Sequence, residues 1–140
     1  MNAKEESEKL INALLPFTEQ MLQRYGEFYP HGGYMRQDGE VVLLGAQDSD
    51  SDHPKSEDLI CILRDSLRQV AGAKACKAVA IVFDVVVNLP EPQRKGDAIQ
   101  VCIEHEDGYA AEVFFPYQIA DGKLVYGETF AQKGDPRFFG

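Results

Sequence analysis

Residues 97–126 read DAIQVCIEHEDGYAAEVFFPYQIADGKLVY, and this stretch decides the fold. Two Asp-Gly pairs, Asp107-Gly108 and Asp121-Gly122, each sit between apolar runs of strand character. That is the strongest short-range hairpin signal, because Asp and Gly supply the positive φ that tight turns need. Ile99, Val101 and Ile103 alternate with Gln100, Cys102 and Glu104, the period of a strand with one buried face. Loop length then sets register. A two-residue loop at Asp107-Gly108 puts Ile103 beside Glu112, whereas a three-residue loop, Glu106-Asp107-Gly108, pairs Val101 with Val113 and Ile99 with Phe115. The second matches apolar with apolar and is preferred. At Asp121-Gly122 a two-residue loop sets Ile119 against Leu124, Tyr117 against Tyr126 and Val113 against Phe130. Glu128 then falls opposite Phe115, on the apolar face.

Working outward, AVAIVFDVVV (78–87) is apolar on nearly both faces, which marks a central strand covered on both sides, or on one side by a partner chain. The NLPEPQRKG segment reads as a linker to the meander. A third pair, Asp38-Gly39, joins strands over Phe28–Met35 and Glu40–Gly45, with Arg36 facing Glu40 across the turn. Pro30 places the first of these at an edge or makes it start late. Leu10, Leu14, Phe17, Met21 and Tyr25, with Ile11, Leu15 and Leu22 widening the stripe, give a helix from about Glu5 to Tyr25, with Pro16 kinking or restarting it and Gly26 ending it. A second helix starts near Ser56 as N-cap, buries Leu59, Leu63, Leu67 and Val70, and stops at Gly72. The order α-β-β-α-β-β-β-β makes one α+β domain over residues 1–140. The expected form is a two-layer sandwich: an antiparallel sheet with a C-terminal meander and both helices on one face. Its ββ-α-βββ portion resembles the profilin or roadblock class of sandwiches, a likeness of fold that carries no activity.

A chain of 140 residues with 44% hydrophobic content builds one core without a metal or disulfide staple. Its formal charge of −9 argues against a nucleic-acid partner, since phosphate binding needs clustered Lys and Arg, and suits docking to a basic protein. Cys61, Cys76 and Cys102 lie in or beside apolar stretches without CxxC or zinc spacing, so they are expected as core thiols in a reducing cytosol. The polar, acidic N-terminus is unlike a signal peptide, and no apolar run reaches membrane-spanning length. The expectation is a cytoplasmic protein without a membrane partner or cofactor.

Asp48, Asp50 and Asp52 have the spacing of the first three calcium ligands in an EF-hand loop. The sixth position holds His53 instead of Gly and the twelfth Leu59 instead of Glu, which favours a solvated, mobile loop over 47–55. His31, in YPHGG, reads either as an imidazole beside an exposed pocket or as a strand histidine bonded locally, the latter preferred. His105 continues the Ile99–Ile103 face, Asp84 interrupts the most apolar strand, and Glu128 points at the apolar face in the register above. Together Asp84, His105 and Glu128 are the candidates for an acid–base or small-molecule site, because burial raises carboxylate pKa values. Cys102 and His105 alternate to opposite faces and cannot pair. No GxSxG elbow, P-loop or dinucleotide fingerprint is present. The candidate partner-binding residues are Phe114 with Glu112 on the face away from Phe115, and Phe138 and Phe139, which either fold back onto the sheet or contact another chain.

The stretches YGEFYPHGGYMRQDGEVVLLGA, DAIQVCIEHEDGYAAEVFFPYQI and YGETFAQKGDPRFFG resemble a family of small bacterial cytoplasmic proteins without an assigned activity. In size and acidity the chain is also similar to the immunity proteins of bacterial toxin systems. Neither resemblance implies a catalytic residue. The leading expectation is a protein-interaction module, such as an immunity-like inhibitor that occludes a basic partner. The alternatives are the site at Asp84, His105 and Glu128, and a homodimer completed across strand 78–87.

Overall fold

The computed structural model describes residues 2–45, 55–89 and 94–139. Helix α1 (Ala3–Tyr25) starts at Asn2, whose side chain accepts the Glu5 N–H at 2.8 Å, and Glu5 and Glu6 stand where the helix dipole favours negative charge. It runs through Pro16 and ends on Gly26, whose φ of 73° lies in the left-handed region. Strands β1 (His31–Arg36) and β2 (Val41–Gly45) follow, then helix α2 (Ser56–Gly72). Strands β3 (Cys76–Leu89), β4 (Arg94–His105), β5 (Ala110–Ala120), β6 (Lys123–Tyr126) and β7 (Phe130–Lys133) complete the chain. They form one antiparallel sheet of order β2-β1-β3-β4-β5-β6, with β7 also on β5. The expected linker is largely strand, because β3 runs to Leu89 and β4 begins at Arg94. Strand β1 starts late, after Pro30, and lies between β2 and β3 rather than at an edge.

The helices do not share a face. Ala78, Ala80 and Val82 of β3 pack with Leu10, Leu14 and Leu22 of α1, together with Ile99, Val101 and Ile103. The alternate residues Val79 and Ile81 pack with Leu63, Leu67 and Ala71 of α2. Successive strand residues point to opposite sides, so the helices cover opposite faces and the expected two layers are three. The reason lies in β3 itself. A strand apolar on both faces needs a cover on each, and each helix has one apolar stripe to give. Over residues 78–83 both covers come from the chain's own helices, so a second copy is not needed to bury that part of the strand.

The β4–β5 register pairs Val101 with Val113 and Ile99 with Phe115, the one argued from the three-residue loop. In the first hairpin the Arg36 N–H donates to the Glu40 carbonyl at 2.7 Å, with Gly39 at φ 93°. The last strand differs. Tyr117 pairs with Tyr126 and Ile119 with Leu124 as expected, but Phe130 lies opposite Phe114 instead of Val113. One extra residue is accommodated between β6 and β7, where the Gly127 N–H donates to the Pro116 carbonyl at 2.8 Å. Pro116 presents that carbonyl to the last strand but has no N–H to return, so a regular ladder cannot pass it.

The buried stripe of α1 is rotated from the expected one. Ser7, Leu10, Ile11, Leu14, Thr18 and Leu22 are buried, while Phe17 and Tyr25 are 41% and 61% exposed. The cysteines also divide: Cys76 is buried, Cys102 half-buried and Cys61 exposed on α2. Burial pushes the Cys76 thiol up to about 11, with the charge of Glu106 adding to the rise.

Candidate functional site

The three acid–base candidates do not converge. Asp84 pairs with Ile99, and His105 lies six residues farther along β4, about 20 Å away at the rise of a strand. Glu128 is exposed between β6 and β7, because the one-residue shift removes it from the apolar face. Each has its own local arrangement. Tyr117 donates its hydroxyl to Asp84 Oδ1 at 2.8 Å. Partial burial raises the Asp84 carboxyl, the Tyr117 bond opposes that rise, and nearby Asp97 adds to it.

His105 is almost fully buried and satisfied at both ring nitrogens. The Asp107 backbone N–H donates to Nδ1 at 3.1 Å, which makes Nε2 the protonated nitrogen, and Nε2 lies 3.2 Å from Glu6 Oε1. The other Glu6 oxygen is bonded to Lys77 Nζ. That bond to Lys77 holds the Glu6 carboxyl below its usual range, helped by His105 and opposed by partial burial. His105 thus anchors the start of α1 to the sheet and offers no free lone pair for proton transfer.

The partner candidates also change place. Phe138 and Phe139 are half-buried and pack on the α2-side cluster, so they fold back in cis. What holds them is Glu104, a residue on the polar alternation of β4 and only 4% exposed. Its carboxylate accepts the backbone N–H groups of Arg137 at 2.5 Å, Phe138 at 3.0 Å and Phe139 at 2.7 Å. A carboxylate facing three consecutive donors closes the C-terminal segment over the sheet. No local pattern in the sequence singles out Glu104. Phe114 is buried, stacked on Phe130 with ring centroids 4.8 Å apart. Glu112 is half-buried and accepts from the Gln132 side chain at 2.5 Å. Asp48, Asp50 and Asp52 lie outside the described residues, and among the described residues no cluster of three metal-binding side chains forms. No described helix is long and apolar enough to cross a membrane.

One exposed apolar surface is the far end of the sheet, beyond the reach of α2. Val86 is 65% exposed and Phe130 40%. With Val87, Asn88, Lys95 and Phe114 they line a shallow depression of about 500 Å³. Isolated exposed apolar residues are ordinary, but a group on one surface marks a place where another molecule can gain by covering it.

No relative was found. No family model matches the chain, and neither a curated protein nor a solved structure is similar to it.

Proposed function

We propose that the chain is a protein-interaction module that docks a basic partner on the depression floored by Phe114 and Phe130. The observation that carries this reading is the depression that Val86, Val87, Phe114 and Phe130 line at the far end of the sheet, in a chain of charge −9. The net charge draws a basic partner in and raises the rate of encounter, while the apolar face supplies the contact that holds it. Lys95 is the one cation among the described residues of the rim and would select for an acidic or hydroxyl group at that point. An immunity-like role fits this mode of action, since an inhibitor of this kind works by covering the partner's own site. It needs no catalytic group here.

The test is affinity purification of the tagged protein from its own cells at low and high salt, beside the Val86→Asp and Phe130→Ala variants. A basic protein retained at low salt, released at high salt and lost from both variants supports the proposal. Val86→Asp is at an exposed position and should keep the parent's unfolding midpoint, whereas Phe130→Ala also removes the stack on Phe114 and should lose about 1 kcal/mol of stability while staying folded. A retained set that ignores salt and both substitutions overturns it.

A further inference from the structure

A second feature lies on the other side of the sheet, between the middle of α1 and the β1–β2 hairpin. There a cavity of about 190 Å³ is walled by Leu14, Phe17, His31, Leu43 and Gly45. It exists because of glycines. Gly45 is the cross-strand partner of His31 and Gly33 that of Leu43, so on this face two positions of the ladder carry no side chain. Leu14 drops onto Gly33, where an added Cβ would come 3.0 Å from its Cδ2, while an added Cβ at Gly45 would meet nothing within 4 Å. The space beside Gly45 is the part left open. Phe17 and Leu43 stand at its mouth, 41% and 57% exposed.

His31 is the polar side chain of this wall. Its Nε2 lies 2.8 Å from the Thr18 hydroxyl, which is also 3.3 Å from the Leu14 carbonyl. Nδ1 is buried, with no partner among the described residues and almost no surface on the cavity. The ring lies between Phe17 and Phe28, with centroids 5.0 and 5.8 Å away. An apolar cavity of roughly 150 Å³ is enough to take up benzene.

We infer that this cavity is a binding site for a neutral, apolar molecule about the size of a single ring. A charged ligand is disfavoured by walls that are apolar except for one imidazole, and burial holds that imidazole neutral down to about 4. The site is separate from the proposed docking face, which lies beyond α2 on the opposite side of the sheet. Either can fail without the other.

Toluene and benzoate serve as probes, titrated into the ¹⁵N-labelled protein while amide shifts are followed. Saturable shifts at His31, Leu43 and Gly45 with toluene, and none with benzoate, are expected, and Gly45→Leu, which fills the open space without a clash among the described residues, should abolish them. Absence of saturable toluene shifts, the same shifts in Gly45→Leu, or equal binding of benzoate would overturn the site.

Discussion

Replacing Glu104 with Ala is the perturbation that probes the C-terminal closure most directly. The carboxylate accepts three backbone N–H groups, from Arg137, Phe138 and Phe139, and is itself 4% exposed. Hydrogen bonds to a charged group contribute about 1.5–3 kcal/mol each, so three of them suggest at least about 4.5 kcal/mol. Two effects reduce this. The segment can lift away and return its donors to water, and removing a buried carboxylate also removes its desolvation cost. Lifting off also exposes the half-buried rings of Phe138 and Phe139, which pack beside Leu63 and Leu67. The net loss expected is about 2–4 kcal/mol, with Glu104→Gln nearer 1–2 because an amide oxygen still accepts from part of the set. Urea unfolding measures the total. Trypsin measures the closure itself, because Arg137-Phe138 is a cleavable bond whose Phe138 N–H is engaged by Glu104. Cleavage there, followed by mass, should be slow in the parent and fast in Glu104→Ala while the rest of the chain stays resistant. A variant within about 0.5 kcal/mol of the parent, with Arg137-Phe138 equally resistant, would refute the reasoning.

Two further outcomes follow from the same structure. The folded His31 imidazole is depressed to about 4 by burial, while the unfolded chain titrates near 6.5, so only the unfolded state takes up this proton between those values. Stability from this group is complete above about pH 6.5 and is lost as the pH falls towards 4, in all about 3 kcal/mol. Urea midpoints at pH 7 and 4.5 should show the parent losing about 2–3 kcal/mol more than His31→Phe; parallel losses would reject the assignment. In Gly32→Ala the new Cβ would sit 2.4 Å from the Ala80 carbonyl oxygen, a backbone atom that cannot rotate away. A cost of about 3 kcal/mol or more is expected, against at most about 0.5 for Gly45→Ala, and thermal unfolding of the two variants decides it.

Much of the sheet was legible because its determinants are local. The three Asp-Gly turns fix where the chain reverses, and the apolar pairing of Val101 with Val113 fixes the β4–β5 register, since a slip of one residue would turn every side chain over. The same reasoning placed Phe130 one residue off. It treated the last strand as continuous, whereas Pro116 has no N–H to give and forces the extra residue beyond Tyr126. That single shift carries Glu128 out to solvent and dissolves the acid–base trio. The candidate sites were less legible. His31 and its glycines stood out in the sequence, but the bond to Thr18 across 13 residues and the open space beside Gly45 did not.

Sequence alone determined the elements, the antiparallel meander and the acidic character, because turn chemistry, two-residue alternation and charge are read within a few positions of the chain. It also marked strand 78–87 as covered on both faces, which holds over residues 78–83 and not at Val86. Which helix covers which face, the grip of Glu104 on residues 137–139 and the cavity at His31 were decided only by the tertiary structure. Each joins groups distant in sequence, and the energy that selects it is burial of apolar area and pairing of buried polar atoms, quantities that exist only once the layers have packed.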